Sequence, residues 1–141
     1  MILKTIYVIL LVVVSAAVST AQTAPFQITI EPMSISGLGG LQSFAIGEHN
    51  GKWLIVGGRL DGLHGRQPFA AFDEAGHNKH LVVVDPVAQQ KWSAPLSSLP
   101  AALQDQLSST NMEFYQEGDY LYIVGGYGFS RTSSNHTTYP N

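Results

Sequence analysis

From residue 26 onward, this chain is a series of short apolar or alternating stretches, each closed by a turn signal. Residues 26–30, Phe-Gln-Ile-Thr-Ile, alternate apolar and polar positions, the pattern of a half-buried strand, and Pro32 closes the stretch. After the glycine-rich entry at 37–40, Leu41 to Gly47 reads as a strand. Glu48-His49-Asn50-Gly51 is its turn, with Asn-Gly as a strong hairpin signal. Lys52 to Val56 returns, nearly continuous in apolar character, as a strand buried on both faces would be. Leu81 to Asp85 is rich in β-branched residues and predicts a third strand. Pro86 opens a turn, and Gln90-Lys91-Trp92-Ser93 predicts a short fourth strand. One four-stranded unit therefore spans about 41–94.

The period then changes. Leu99, Ala102, Leu103 and Leu107 recur at helical spacing, with Pro100 in a first-turn position behind Ser98, and predict a two-turn helix within 98–109. Met112 to Gln116 and Tyr120 to Val124 follow as a second hairpin around Glu117-Gly118-Asp119. The hairpins end alike: 51–58 reads Gly-Lys-Trp-Leu-Ile-Val-Gly-Gly, and 118–126 reads Gly-Asp-Tyr-Leu-Tyr-Ile-Val-Gly-Gly. Double glycines at 57–58 and 125–126 permit positive φ and close backbone approach. Two long irregular stretches, 59–79 and 127–141, follow the double glycines and read as loops, a length commonly tied to function.

The first 21 residues read separately. Lys4 precedes the apolar stretch 5–14, and Ser19-Thr20-Ala21 places small residues before Gln22. This is the layout of a secretory signal peptide. Residues 5–18, broken by Ser15, fall short of the ~20 apolar residues that a spanning helix needs. The expected product is exported, extracytoplasmic or secreted, and not held in the membrane after cleavage. The organisation read from the chain is a signal peptide at 1–21, a strand and linker at 22–40, a first repeat at 41–111 and the first half of a second at 112–141.

Composition narrows the chemistry. Charged residues make up 12% of the chain, against roughly 25% in ordinary domains. The net charge is −3 with no basic run, so nucleic acid is not an expected partner. Cysteine is absent, which excludes thiolate nucleophiles, thiolate metal sites and disulfides.

From about Leu41 to Asn141 the chain resembles kelch-repeat proteins. The resemblance rests on Gly57-Gly58 with Gly51, on Trp92 in the fourth strand, and on Tyr120, Tyr122 and Gly125-Gly126 in the second unit. The repeat period, 125 − 57 = 68 residues, exceeds the ~50 of kelch by the long loop and helix. With the export signal, the whole is similar to the N-terminal part of a secreted bacterial kelch protein. The resemblance implies an all-β fold, a β-propeller fragment of one full blade and half of another, joined by a short inter-blade helix. Repeat folds need neighbours to cover their faces, so a larger propeller is expected, with residues 26–30 suited to closing it. An open blade edge also invites self-association.

The implied function is a binding or interaction module for a protein or glycan. The alternatives are a fragment of a sugar-acting propeller enzyme, of the sialic-acid epimerase kind, and a structural fragment without independent function. The copper-dependent galactose oxidase among kelch relatives needs a Cys that is missing here. By connectivity, the loops 59–79 and 127–141 and the helix share one end of the blades. Ligand-binding candidates are Arg59, Asp61 and His64 in the first loop, and Tyr127 and Arg131 in the second. Arg forks suit carboxylates; the competing reading is an Arg59–Asp61 pair that braces the loop. His64, Asp73, His77 and His80 have metal-capable side chains, but a flexible loop does not align them, and neither a metal nor a cofactor is expected. Trp53, Trp92, Tyr120 and Tyr122, in strands, are expected to pack between blades. N-terminal sequencing of the exported protein is expected to begin at Gln22; an intact Met1 on a membrane-embedded product would contradict this reading.

Overall fold

The structure is a computed structural model that describes residues 25–62 and 73–140. The signal-peptide reading and His64 lie outside the described residues. Residues 33–140 form one compact unit; residues 25–32 belong to another. In the latter, the expected strand at 26–30 is not formed. Phe26, Ile28 and Ile30 are exposed, Ile30 by 89%. Alternation supplies a strand with two faces, but a strand also needs a hydrogen-bonded ladder, and this segment has none among the described residues.

The larger unit is mostly β. Strands β1 (Ala45–His49), β2 (Lys52–Val56), β3 (His80–Asp85) and β4 (Gln90–Pro95) form an antiparallel meander in sequence order. Strands β5 (Thr110–Glu117), β6 (Tyr120–Ser130) and β7 (Asn135–Thr138) form a second one. Helix α1 (Ala101–Leu107) joins the sheets. It starts later than its periodicity predicts. Leu99 precedes a proline, so it is held extended (φ −90°, ψ 159°), and Pro100 takes the cap position without a side-chain cap.

Two further boundaries differ from the sequence reading. The first strand begins at Ala45 rather than Leu41, because Ser43 at φ 56° interrupts the ladder after the Gln42–Arg59 bridge. Residues 127–140 are also not a loop. β6 runs through its double glycine to Ser130 and pairs with β7, Phe129 facing His136 in register. The Asn/Ser/Thr-rich composition hid this hairpin; the rings of Tyr127 and Phe129 pack on His136 at 5.9 and 5.6 Å.

The hairpins β1–β2 and β5–β6 superpose in register without insertion. Ala45↔Val56 becomes Glu113↔Val124, and His49↔Lys52 becomes Glu117↔Tyr120, each shifted by 68 residues (113 − 45, 117 − 49). Most backbone irregularities shift with them: positive φ occurs at Ser43 and Asn111, at Asn50 and Gly118, and at both double glycines, while Gly51 has positive φ and its counterpart Asp119 does not.

Sheet one is covered on both faces. Ala45 and Val56, with Leu54 and Leu81, pack on Met112, Leu121 and Ile123 of sheet two. Ile55, Val82 and Val84 are covered by Ile35, Leu38, Leu41 and Phe44. The second face was expected to need a neighbouring blade; the chain's own segment 35–44 covers it instead. Fully burying one such aliphatic side chain is worth about 1.5–3 kcal/mol, so these two layers dominate the unit's stability. Trp53, Trp92, Tyr120 and Tyr122 are exposed rather than packed between sheets.

The sheets meet closely along β1 and β5. The Gln116 amide bonds the Glu48 backbone on both sides, accepting from its N–H at 2.7 Å and donating to its carbonyl at 2.6 Å, and so satisfies the edge of β1. At the other end of β2 the Gly58 N–H donates to the Ser109 carbonyl at 2.8 Å. A Cβ on Gly57 would strike the Met112 methyl and come within 2.5 Å of Ser109 O; on Gly126 it would strike Ser109 Oγ and Met112 Cγ. On Gly125 it would meet only Tyr139 O, at 3.9 Å. All three have positive φ. Gly125→Ala is therefore expected to cost about 1–2 kcal/mol for the left-handed backbone alone. Gly57→Ala and Gly126→Ala are expected to cost about 2–5 kcal/mol, because overpacking adds about 1–3 kcal/mol. Urea melts of the three variants check the ranking; equal losses would show that close approach is not limiting.

Candidate functional site

The long connections gather at the end of the sheets that carries the double glycines. There, the segment 74–80, the end of β4 with its following turn, helix α1 and the Phe129–Arg131 end of β6 enclose a cavity of about 180 Å³. The three segments expected to share one end thus meet in one site. Pro95, Leu96 and Phe129 supply apolar wall, and Glu74, Lys79, His80, Gln104, Asp105 and Arg131 supply polar wall.

Its charges are arranged in pairs. Asp105, on α1 and only 5% exposed, accepts from the Arg131 backbone N–H at 3.0 Å and from Arg131 Nε at 2.6 Å. Arg131 Nη2 donates onward to the Ala101 carbonyl and Gln104 Oε1. This cluster ties α1 to β6. Lys79 pairs with Glu74 at 2.8 Å at the rim.

Beside the cavity, Arg59 holds Asp61 in a two-pronged pair through Nε and Nη2, and Nη2 also donates to the Asp73 carbonyl at 3.0 Å. Arg59 is buried. The bracing arrangement is the one formed. Gly76 leaves room for it, since a Cβ there would overlap both the guanidinium and the carboxylate. The candidates therefore separate: Arg131 lines the cavity, Arg59 and Asp61 lie in the adjoining brace, and Tyr127 stacks on His136 along β6 and β7.

Sequence reasoning placed His77 on a flexible loop with other metal-capable side chains; the structure buries it at 5% exposure. Nδ1 lies 2.8 Å from the Ser108 carbonyl and donates to it, because a carbonyl only accepts. Nε2 is buried without a hydrogen-bond partner among the described residues. Burial holds the imidazole below its ordinary value of 6.5; the Ser108 bond opposes this, and the charges of Arg59, His136 and Lys79 reinforce it. Asn78 is also buried; its amide donates to the Gly57 and His80 carbonyls and anchors the segment under the double glycine. The available sequence signal was the spacing of His77-Asn78 immediately before β3, at the point where a loop must pass beneath Gly57-Gly58.

Among the described residues no group of three or more His, Asp or Glu side chains is arranged to hold a metal. Asp73 accepts from the Ala75 N–H, and His77 is turned to Ser108. No hydrogen bond joins His77 to a serine hydroxyl among the described residues; the Ser108 hydroxyl donates to the Asp105 carbonyl instead. No helix among the described residues is long and apolar enough to cross a membrane. No protein-family model, curated protein or solved structure matches the chain.

Asp105→Ala removes the acceptor of two charge-assisted bonds and loosens α1 from β6. An expected loss of about 1–3 kcal/mol, discounted towards the lower end because Arg131 is 48% exposed, is checked by denaturant melts. Arg131→Lys is expected to recover little of an Arg131→Ala loss, since an ammonium does not reproduce the fork.

Proposed function

We propose that the chain is an exported kelch-type binding module, with one full blade and part of the next, in a larger β-propeller. The observation that carries this reading is the 68-residue equivalence of the two hairpins. By that shift, the β1–β2 face that seats sheet two (Ala45, Gly47, Lys52, Leu54, Val56) corresponds to Glu113, Tyr115, Tyr120, Tyr122 and Val124. Those five side chains form the outer face of sheet two, and all are exposed, Tyr120 by 71%. An aromatic face in the position of a seat supports a further sheet as its cover.

The reading of binding over catalysis is supported by the cavity. Its charged groups are engaged with one another, and no nucleophile–base contact is present among the described residues. A protein or glycan ligand would meet the apolar wall of Pro95, Leu96 and Phe129 and the polar rim of His80 and Ser97.

The mature chain, residues 22–141, is expected to self-associate through the exposed tyrosine face as concentration rises, and Tyr120→Glu with Tyr122→Glu to return it to monomer. Light scattering measures both. A cooperatively melting monomer at all concentrations would overturn the propeller reading. Glycan and peptide arrays test the binding half, and chemical conversion of a bound sugar would sink the non-enzymatic reading.

A further inference from the structure

The segment 73–79 forms one wall of the cavity, and its ends are tied down: Arg59 Nη2 donates to the Asp73 carbonyl, the Asn78 amide to the Gly57 carbonyl and the Leu96 N–H to the Lys79 carbonyl, each at 3.0 Å. Leu60 N–H donates to the Gly76 carbonyl and Asn78 N–H to the Gly58 carbonyl, both at 2.9 Å. Between the segment and the turn after α1, the His77–Ser108 bond is the side-chain link. The imidazole is close-packed against β6: a Cβ on Gly128 would lie 3.2 Å from His77 Cε1. We propose that His77 is an acid-operated latch: neutral, it pins segment 73–79 to Ser108 and β6; protonated, it releases the segment and opens the cavity wall.

Geometry alone makes the charged form a misfit. Protonation adds an N–H at Nε2, where no acceptor stands among the described residues. An unsatisfied buried donor and an unpaired buried charge are both strongly unfavourable.

The surrounding charges do not rescue it. On its own side of the site are Arg59, Asp61, Glu74, Lys79 and His80. Asp105 comes from α1, Arg131 from the end of β6 and His136 from β7. Arg59, Lys79 and His136 disfavour a second positive charge. Three of the carboxylates already face cations: Asp61 faces Arg59, Glu74 faces Lys79 and Asp105 faces Arg131, while Asp73 accepts from the Ala75 N–H. The sign follows. The open form takes up a proton near the ordinary value of 6.5 while the closed form resists it. The latch is therefore fully held above that pH and weakens as pH falls below it, by up to about tenfold in the opening equilibrium per pH unit for one proton.

Hydrogen-exchange mass spectrometry on the mature chain, from pH 7.5 to 5 and corrected for intrinsic exchange, reads this directly. Peptides containing Leu60 and Asn78 are expected to lose protection on acidification, while peptides from the β3–β4 ladder keep theirs. His77→Asn places an amide donor where Nδ1–H stands and cannot be protonated, so its peptides are expected to show no such pH dependence. Equal pH profiles for the wild type and His77→Asn, or no loss in the wild type, would overturn the latch. If His77→Asn does not fold, the slow exchange of the His77 Cε1 hydrogen gives the titration of His77 in the wild type. Loss of protection in the Leu60 and Asn78 peptides that follows this titration supports the proposal, and protection that does not follow it overturns the latch.

Discussion

Everything in the larger unit depends on how closely two backbones approach where β2 ends. Gly57 and Gly58 bring that strand end against the chain at Ser109, and Gly126 brings β6 against the same residue from the other side. Ser109 and Thr110 are buried as a result, although both are polar. A methyl group at Gly57 or Gly126 has no space, and dense packing does not yield easily to added volume. The contact fixes the distance between the sheets. That distance allows Met112 to reach Ala45 and Val56, and the Gln116 amide to reach the free edge of β1.

The same approach creates the candidate site. With the strand ends drawn together, the connection after β2 has to fold back beneath the double glycine. Asn78 and His77 are buried in doing so, and Arg59 takes Asp61 with it. Burying the Arg59 guanidinium is tolerable because Asp61 pairs with it; the more exposed Lys79 and Arg131 face Glu74 and Asp105. Among the described residues Arg59, Lys79 and Arg131 each face a carboxylate, and burial disfavours the charged form of His77. Pairing of these cations shifts weight from the arginines to the apolar wall and the rim.

Much of the architecture was legible in the chain. Alternation, β-branched runs and the Asn-Gly turn marked β1 to β6, because a strand with one or two buried faces has to place its apolar residues by the pleat. The repeated Gly-Gly marked the hairpin equivalence, because its backbone needs positive φ at those positions. The sharing of one end by the long connections and the helix followed from antiparallel connectivity alone. Other features were not legible, among them the cover that 35–44 places over sheet one, the β6–β7 hairpin, the late start of α1 and the burial of His77; the strand read at 26–30 is not formed. Each of the first three depends on a contact between residues distant in sequence or on a backbone restriction that overrides periodicity. Polar Ser, Thr and Asn in β7 read as loop because their strand character comes from the β6 ladder, not from their own propensity.

The sequence by itself determined β1 to β6, their order, the repeat and the glycine positions with positive φ, since these follow from side-chain periodicity and local φ preference. Tertiary structure alone decided which of several similar polar residues matter. His77 and His80 stand three residues apart in the chain, yet one is buried on the Ser108 carbonyl and the other exposed. Arg131 read as a ligand fork, yet folding placed Asp105 beside it from 26 residues away, whereas the Arg59–Asp61 brace, two residues apart, was one of the two sequence readings of Arg59. Burial and pairing belong to the packed arrangement, because they depend on desolvation and distance across segments that the linear chain keeps apart.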